Sequence, residues 1–313
     1  MKILDNSDKY LLPLFPDIIL SKTGKAPSEI KFIGGGSFGR VFRVVCGPNE
    51  RFALKAYRVP MSQLAEAKQL HILGENTDIT MPRVLFTYED ESTALLAMSF
   101  VEGKNVLSPA FLLKRKEQKK QFAESVISGM LGWHNCKNDK FGSLENPSYD
   151  SWYSFYKTEK QLPWLKALGE LNGKGKFSNK KLKLLLEATE LFNSLPEENT
   201  SPVLIHGDLN IMNIMADGKT FALTGFIDPC GSLWADREYD LFQLRNMWGD
   251  AFGLYKTYKE KCELSEYADF RVAYYAAMHE ASMRLSGGLT VPLWEELNNI
   301  RLKKEMKKLK EKM

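Results

Sequence analysis

Hydrophobic and polar positions alternate in short runs through the first third of the chain. Such alternation, with many β-branched and aromatic side chains, predicts β-strands. One stretch changes to helical spacing, from Pro60, which suits a first helical turn, to Leu73. The predicted strands lie at 30–33, 41–45, 51–57, 83–88 and 94–100. Residues 29–100 are therefore expected to fold as an antiparallel β-β-β-α-β-β lobe.

Helical spacing dominates most of the remaining sequence. Residues 1–28 predict a short leading helix and a turn, and further helices are expected at 150–195 and from 238 onwards. An apolar stripe at helical spacing is formed by Phe122, Val126, Ile127, Met130 and Leu131. The expected fold class is α+β with two lobes. They are a small β-rich N-lobe at 1–100, a hinge at 101–107 and a larger helical C-lobe at 108–313.

The composition is that of a folded globular protein. The chain has 313 residues, of which 44% are hydrophobic and 26% charged, enough apolar material for one large or two ordinary domains. Its four cysteines show no CxxC spacing, so neither a disulfide framework nor a zinc site is expected.

No run approaches the roughly 20 apolar residues of a membrane span, and the N-terminus lacks the apolar core of a signal peptide. We therefore expect a cytoplasmic protein.

Positive charge is concentrated in two segments of a chain whose net charge is +4. Residues 157–183 contain eight Lys and two Glu, and residues 301–313 contain seven Lys or Arg and two Glu. A basic terminus can bind nucleic acid or anionic lipid, but it is more often the solvated end of a helix. We favour the second interpretation and expect no nucleic-acid partner. The sequence gives no indication of the oligomeric state.

A glycine-rich loop joins the first two predicted strands. Gly34, Gly36 and Gly39, with Ser37 between them, fit the pattern G-x-G-x-x-G-x-V. A dinucleotide-binding site would need a helix to open at the third glycine and an acidic residue about 20 positions later. Here a strand follows instead. This context favours a loop whose backbone N–H groups bind nucleotide phosphates, with a plain hairpin turn as the alternative.

A lysine on the third predicted strand is a candidate phosphate anchor. Lys55 can reach nucleotide phosphates from this strand if a carboxylate holds it in place. Glu66 on the following helix is the best partner because it borders the apolar stripe of that helix. Glu75 is the weaker alternative, since it falls beyond the expected helix end. Alone, Lys55 would be interpreted as a solvated strand residue.

A second polar group begins with His-Gly-Asp at 206–208. Asp208 can accept the proton of an attacking hydroxyl, while Asn213 and Asp228 offer the oxygen ligands that Mg²⁺ prefers. A predicted hairpin, whose second strand spans 221–227, would bring Asp228 back towards Asn213. His-x-Asp alone could be a structural turn. The full spacing of base, amide and carboxylate is specific.

These motifs resemble those of the aminoglycoside phosphotransferase and fructosamine kinase superfamily, whose members have the protein-kinase-like fold. His-Gly-Asp with Asp-Pro, in place of His-Arg-Asp with Asp-Phe-Gly, is typical of small-molecule kinases. The resemblance covers roughly residues 29 to 285. The residues that carry it are 34–41, Lys55, Glu66, 206–208, Asn213, 227–229 and 237–241.

The resemblance implies roles for the residues of the C-lobe. Asp208 would be the catalytic base, and Asn213 and Asp228 would be the ligands of Mg²⁺. Asp240 would brace the catalytic loop from the following helix. The run at 236–241 is similar to the fructosamine-kinase branch.

Two further features bear on that branch. The pair Gly287-Gly288, late in the chain, also resembles the sequences of the fructosamine-kinase branch. The branch usually has a tryptophan two residues after the base, where this chain has Asn210.

The resemblance also implies how the nucleotide is bound. The glycine loop, Lys55 and Glu66 would hold the phosphates. Met98 and Phe100 would belong to the hinge at 98–101 that contacts adenine. The expected donor is ATP, with GTP as the alternative.

The expected function is ATP- and Mg²⁺-dependent phosphorylation of a hydroxyl on a small molecule, such as an amino sugar, a ketoamine or an aminoglycoside-like compound. A nucleotide-binding pseudokinase acting as an interaction module is the alternative. A protein kinase is disfavoured because a helix-like run at 238–244 follows Asp228 too soon for a long activation segment.

Two observations bear on the acceptor. The basic segment 157–183 disfavours a polycationic antibiotic. Aromatic residues near 152–164 could stack on a sugar, but helix core is the favoured interpretation.

Overall fold

The N-terminal lobe is built on a five-stranded antiparallel sheet, in a computed structural model that describes residues 3–196, 200–285 and 291–312. The strand order is β1-β2-β3-β5-β4, with helix α2 inserted between β3 and β4. This confirms the expected β-β-β-α-β-β pattern. Its elements are β1 (Glu29–Gly35), β2 (Gly39–Gly47), β3 (Glu50–Tyr57), α2 (Ser62–Gly74), β4 (Val84–Glu89) and β5 (Ala94–Ser99).

Side chains of successive strand residues divide between the two faces of this sheet. Helix α1 (Asp8–Thr23) covers one face and forms a separate small core with it. Alternate residues such as Lys55 and Tyr57 point to the other face, towards α2 and the C-lobe. Both faces of the sheet are therefore covered, and the second face carries the polar side chains discussed below. The α1 core comprises Leu11, Phe15, Ile18, Ile19, Phe42, Val44, Phe52, Leu54, Ala56, Leu95 and Ala97.

The C-lobe is mainly helical. Its central helix α4 buries Phe122, Val126, Ile127 and Met130, and Leu131 is partly buried against the same core, as the apolar stripe predicted. A π-helical turn, Lys157–Gln161, joins two of the helices, and a segment of 3-10 turns, Gln243–Phe252, joins two others. The helices are α3 (Pro109–Leu112), α4 (Lys116–Asn135), α5 (Trp152–Tyr156), α6 (Leu162–Gly173), α7 (Asn179–Ser194), α8 (Arg237–Leu241), α9 (Leu254–Lys261), α10 (Ala268–Ser282) and α11 (Pro292–Lys312).

Two small sheets hold the loops of the C-lobe. The first has the order β11-β10-β6 and the second β8-β7-β12-β9. Strand β6 lies within the predicted hinge at 101–107, so part of that hinge is paired to the C-lobe. Strands β7, β8 and β12 were not predicted. The strands are β6 (Lys104–Asn105), β7 (Phe141–Ser143), β8 (Pro147–Tyr149), β9 (Val203–Leu204), β10 (Ile214–Ala216), β11 (Leu223–Phe226) and β12 (Leu233–Ala235).

The aromatic residues of α5 and α6 belong to the core of the C-lobe. Trp152, Phe155 and Tyr156 are buried, and Tyr153 and Trp164 pack against the same cluster. The favoured interpretation of these residues as helix core is confirmed. Among the residues described, no helix is both long enough and apolar enough to cross a membrane. The pair Gly287-Gly288 lies outside the described residues.

Candidate active site

The glycine loop is the turn between β1 and β2. The Gly36 amide donates to the Gly39 carbonyl at 3.0 Å, and the chain continues as a strand rather than a helix, which excludes the dinucleotide-binding arrangement. A Cβ on Gly39 would lie 2.5 Å from the Ala56 oxygen, so this glycine is required by strand packing. A Cβ on Gly34 or Gly36 would meet nothing within 4 Å. The space around these two glycines is therefore open, and Ser37 follows Gly36 in the turn.

An apolar cleft between the lobes lies next to this loop. Met98 and Phe100 line it, as the hinge prediction placed them, together with the backbone segment that leaves β5. Lys55, Glu66 and Asp228 close one end of the cleft. The cleft therefore has an apolar part and a charged end, which suit a nucleotide base and its phosphates respectively. Val41, Ser99, Val101 and Ile227, which lie in segments that the sequence analysis named for the kinase motifs or the hinge, also form the wall. The wall residues outside those segments are Ile33, Ala53, Pro82 and Met215.

Lys55 joins the two lobes at the charged end of the cleft. Its Nζ lies 2.6 Å from Glu66 Oε2 and 2.5 Å from Asp228 Oδ1, whereas Glu75 lies at the end of α2 next to His71. Burial would lower the pKa of Lys55, but the Asp228 and Glu66 carboxylates outweigh it and raise the pKa above its ordinary value. Lys55 is therefore held as a cation between one carboxylate of each lobe.

Tyr57 is a further partner of this pair. Its hydroxyl donates to Glu66 Oε2 at 2.6 Å. Burial raises the pKa of Glu66, while Lys55 opposes this shift. Tyr57 was missed by sequence reasoning, although it lies two residues after Lys55 and so on the same face of β3. Its hydrogen bond fixes the carboxylate that holds Lys55.

Two asparagines hold the side chain of Asp208, the candidate base, on the loop at 206–213. Asn210 Nδ2 donates to Asp208 Oδ1 at 2.8 Å, and Asn213 Nδ2 donates to Asp208 Oδ2 at 3.0 Å. Burial and then the nearby Asp228 raise the pKa of Asp208 to about 8, against the effect of these hydrogen bonds. Asn210 therefore helps to position the Asp208 carboxylate. The sequence analysis had noted Asn210 only because the fructosamine-kinase branch usually has tryptophan there, and no sequence pattern predicted its contact with Asp208.

Asp240 fixes the backbone just before Asp208. Its carboxylate is fully buried and accepts hydrogen bonds from the amides of His206, at 3.1 Å, and Gly207, at 2.9 Å. His134 Nε2 lies 3.4 Å from the same carboxylate, and its Nδ1 lies 2.7 Å from the Tyr258 hydroxyl. The resemblance implied that Asp240 would brace the loop from the following helix, and Asp240 does contact the loop backbone from α8. His134 is a packed partner of this network.

The two candidate metal ligands are brought together by the β10–β11 hairpin. The Ile227 amide donates to the Asn213 carbonyl at 2.9 Å, which places Asp228, the next residue, beside Asn213. Asn213 directs its amide nitrogen to Asp208, so its side-chain oxygen faces away from that carboxylate. Asp228 has a φ of +57°, and half of its side chain is exposed, with Lys55 bound to only one oxygen.

This donor set fits Mg²⁺ bound together with a nucleotide. The described residues contain no cluster of three or more His, Cys, Asp or Glu side chains able to hold a metal ion. Mg²⁺ is commonly held by one or two protein oxygens, with phosphates and water completing its shell. One carboxylate and one amide oxygen beside an open glycine loop match that pattern. The residues therefore suit a metal–nucleotide complex better than a free ion.

The segment after Asp228 is short. Only residues 229–236 separate it from α8, and β12 lies within them. This leaves no room for a long activation segment. Within it, Cys230 and Gly231 pass directly over Gly207: a Cβ on Gly207 would lie 2.4 Å from the Cys230 carbonyl oxygen. The φ of Gly207 is +82°, so both space and backbone conformation require glycine there.

A two-lobed fold with this cleft, anchored lysine and aspartate loop defines the protein-kinase-like class of phosphotransferases. Residues 29–284 match the family model described as the phosphotransferase enzyme family (APH), and the chain belongs to that family.

Two relatives share about a quarter of their aligned residues with this chain. The uncharacterized protein YcbJ of Escherichia coli K12 is 26% identical over 195 residues, which are 61% of this chain and 64% of YcbJ. The chain thus spans less than two thirds of that relative. A Staphylococcus aureus protein assigned as a ketoamine kinase is 26% identical over 251 residues, which are 79% of this chain and 83% of that protein.

Solved structures share the whole fold. A protein from Thermobifida fusca assigned as a fructosamine-3-kinase has a TM-score of 0.68 at 18% identity, covering 94% of this chain and 98% of its own. A GDP complex of an aminoglycoside 2′-phosphotransferase has a TM-score of 0.66 at 15% identity, with 96% of each chain covered. An aminoglycoside phosphotransferase bound to AMP-PNP and hygromycin B has a TM-score of 0.65 at 13% identity, covering 93% and 97%. At these identities the likeness establishes the fold alone.

Proposed function

We propose that this protein transfers the γ-phosphoryl group of ATP to a hydroxyl of a small molecule, in a reaction that depends on Mg²⁺. The observation that carries the proposal is the meeting of five side chains at the charged end of one cleft. Their arrangement supplies a phosphate anchor, two oxygen ligands and a base within one site. The five are Lys55, Glu66, Asp208, Asn213 and Asp228.

The transfer is a displacement at phosphorus. The acceptor oxygen forms a bond to the γ-phosphorus, the bond from that phosphorus to the bridging oxygen breaks, and ADP leaves with the electron pair. The Asp208 carboxylate receives the hydroxyl proton. Burial raises the pKa of Asp208, which makes its carboxylate a stronger proton acceptor than an exposed aspartate. Asn210 and Asn213 hold the carboxylate oxygens in a fixed direction.

The N-lobe contributes charge and orientation. Lys55, held by Glu66 and Tyr57, would bind phosphate oxygens, and the open Gly34 and Gly36 positions would admit the phosphates to backbone N–H groups. Bound by Asn213 and Asp228, Mg²⁺ would neutralise charge on the phosphates. Positioning and charge together are expected to supply most of the rate enhancement.

The acceptor is proposed to be a ketoamine or an amino sugar. Support comes from the Staphylococcus aureus relative assigned as a ketoamine kinase, which matches 79% of this chain. The short segment between Asp228 and α8 disfavours a protein substrate, since it leaves no long activation segment. The nucleotide complexes among the structural neighbours include both GDP and AMP-PNP, so ATP and GTP are compared directly in the test.

The test combines nucleotide binding with turnover. ADP or GDP release is measured across ketoamines, amino sugars and aminoglycosides, and nucleotide affinity is measured by calorimetry with and without Mg²⁺. We expect Asp208→Asn to lower turnover by about 10²–10⁴-fold while nucleotide affinity is retained. Lys55→Met is expected to weaken nucleotide binding itself.

The control is Asp217→Asn, which changes an aspartate on the turn of the β10–β11 hairpin, away from the cleft. It should leave both quantities unchanged. Full turnover by Asp208→Asn would overturn the assignment of the base. Mg²⁺-dependent nucleotide binding by the unaltered protein, with no phosphate transfer to any acceptor, would instead favour a nucleotide-binding interaction module.

A further inference from the structure

A groove on the surface of the C-lobe lies between helices α7 and α11. Its volume is about 490 Å³, and its lining residues are all different from those of the apolar cleft between the lobes. Each helix contributes about two turns to the groove, which corresponds to roughly 10 Å of helix. The groove is therefore a feature separate from the proposed site of phosphate transfer.

The fold brings the two basic segments of the sequence together at this groove. Two of its lysines come from the segment 157–183 and three from the segment 301–313. An ion pair of 2.8 Å between Lys181 Nζ and Glu295 Oε2 joins α7 to α11. All five lysines that line the groove are exposed, so their ammonium groups can meet a ligand. They are Lys180, Lys183, Lys303, Lys307 and Lys310.

Positive charge exceeds negative charge in the groove, since two glutamates lie among the five lysines. Each glutamate is already paired on its own helix. Glu187 lies 4.0 Å from Lys183 Nζ. Glu311 lies 3.8 Å from Lys307 Nζ. Among the residues that the structure describes, the other three lysines have no carboxylate within ion-pair distance. Three ammonium groups are therefore available to the negative charges of a partner.

The lining also contains two apolar side chains, which are more buried than the lysines around them. Leu184 of α7 is partly buried against the core of the C-lobe, and Met306 of α11 is buried within that core. Methionine adapts its shape to different apolar partners. The groove thus combines apolar side chains at its base with basic side chains at its edges. Grooves of this kind between helices bind amphipathic helices.

We propose that this groove binds an acidic amphipathic helix of a partner protein. Apolar side chains on one face of that helix would contact Leu184 and Met306, and carboxylates beside that face would pair with the lysines. Nucleic acid fits less well, because its phosphates would gain nothing from the apolar side chains and would be repelled by the two glutamates. An anionic membrane is disfavoured because a bilayer presents a flat surface to a concave groove. The inference does not depend on the proposed function.

The probe is a labelled peptide of about 18 residues, with leucines at helical spacing on one face and glutamates beside that face. A second peptide has the same composition in scrambled order, so that its charge is unchanged but its leucines do not share a face. Fluorescence anisotropy measures the binding of each peptide to the unaltered protein. We expect the amphipathic peptide to bind about tenfold or more tightly than the scrambled one. Its affinity should fall as salt is raised, because salt screens exposed charges.

The variant that tests the contact is Lys303→Glu combined with Lys310→Glu, which reverses two charges of the groove. It should weaken binding of the amphipathic peptide by about tenfold or more. The matched control is Lys304→Glu combined with Lys308→Glu. This control makes the same change in net charge on the same helix, at exposed positions that do not line the groove. It should weaken binding by less than about threefold, and thermal unfolding should show that both variants are folded.

Three results would overturn the inference. The first is equal affinity for the two peptides, or binding of neither, by the unaltered protein. The second is an equal loss of affinity in the two double variants. The third is tighter binding of a single-stranded DNA of about 20 nucleotides, or of vesicles containing phosphatidylglycerol, than of the amphipathic peptide. None of these measurements uses nucleotide binding or ADP release, so failure of the inference and failure of the proposed function are observed separately.

Discussion

The Asp240 carboxylate lies 2.9 Å from the backbone nitrogen of Gly207 and is fully buried. Its second oxygen accepts from the His206 amide at 3.1 Å. A residue on α8 therefore fixes the two peptide groups that precede Asp208. The direction of the proposed base depends on a contact outside its own loop.

Replacing Asp240 by alanine should destabilise the protein and reduce turnover. The variant leaves two amide groups of the catalytic loop without their acceptor, in a site closed to water. The expected loss is about 2–4 kcal/mol in the free energy of unfolding. Urea unfolding measures this loss, and ADP release measures the accompanying loss of activity.

Asp217 supplies the comparison for that prediction. It also accepts hydrogen bonds from two backbone amides, those of Lys219 at 3.0 Å and Thr220 at 2.7 Å, but on an exposed turn. Water can replace the missing acceptor there, so Asp217→Ala should cost no more than about 1 kcal/mol. If Asp240→Ala and Asp217→Ala lowered the free energy of unfolding equally, burial of the Asp240 contact would not increase its contribution to stability.

Alanine at Gly207 should be far more damaging than alanine at Gly231. Both glycines have positive φ, +82° and +73°, so both variants incur the left-handed backbone penalty of about 1–2 kcal/mol. Only at Gly207 would the new Cβ meet backbone, 2.4 Å from the Cys230 oxygen, whereas Gly231 has nothing within 4 Å. We expect Gly207→Ala to lower both stability and turnover, and Gly231→Ala to lower stability alone. Thermal unfolding and ADP release separate the two variants, and similar behaviour would contradict the predicted clash.

Glu280 on α10 should make the stability of the protein depend on pH. Burial, and then the Glu295 carboxylate, raise its pKa from 4.5 to about 7, while Arg284 opposes the shift. The folded protein therefore binds this proton more tightly than the unfolded chain. Stability should fall as pH rises from about 4.5 to about 7 and then remain level.

The variant Glu280→Gln removes this titration. It should match the unaltered protein near pH 4.5 and exceed it by about 1–3 kcal/mol above pH 7. Subtracting the two urea-unfolding curves at each pH isolates Glu280 from groups common to both proteins, such as Asp236, whose pKa burial also raises to about 7. A difference that does not change between pH 5 and 8 would contradict the prediction.

Local signals account for what the sequence predicted correctly. Strand alternation depends only on neighbouring residues, and it was enough to give the N-lobe pattern. Helical spacing similarly placed Glu66 at the border of the apolar stripe of its helix, and its contact with Lys55 is present at 2.6 Å. The roles of these residues in binding and catalysis remain predictions.

Contacts between distant segments account for what the sequence left out. Strands β7, β8 and β12 have three residues each, too few for a period to be visible, and they exist because they pair with one another. The contact of Asn210 with Asp208 depends on the conformation of the loop that carries both residues, so the sequence alone could not predict it.

Helix α1 has a consequence for where the folding unit begins. The family match starts at residue 29, after this helix, yet Leu11, Phe15 and Ile19 cover the outer face of the N-lobe sheet. A fragment trimmed to the matched residues would keep every residue of the apolar cleft between the lobes but would expose the apolar residues of the outer sheet face. Such surfaces promote aggregation. Helix α1 therefore covers the apolar face of the sheet, and a fragment limited to residues 29–284 would lack this helix.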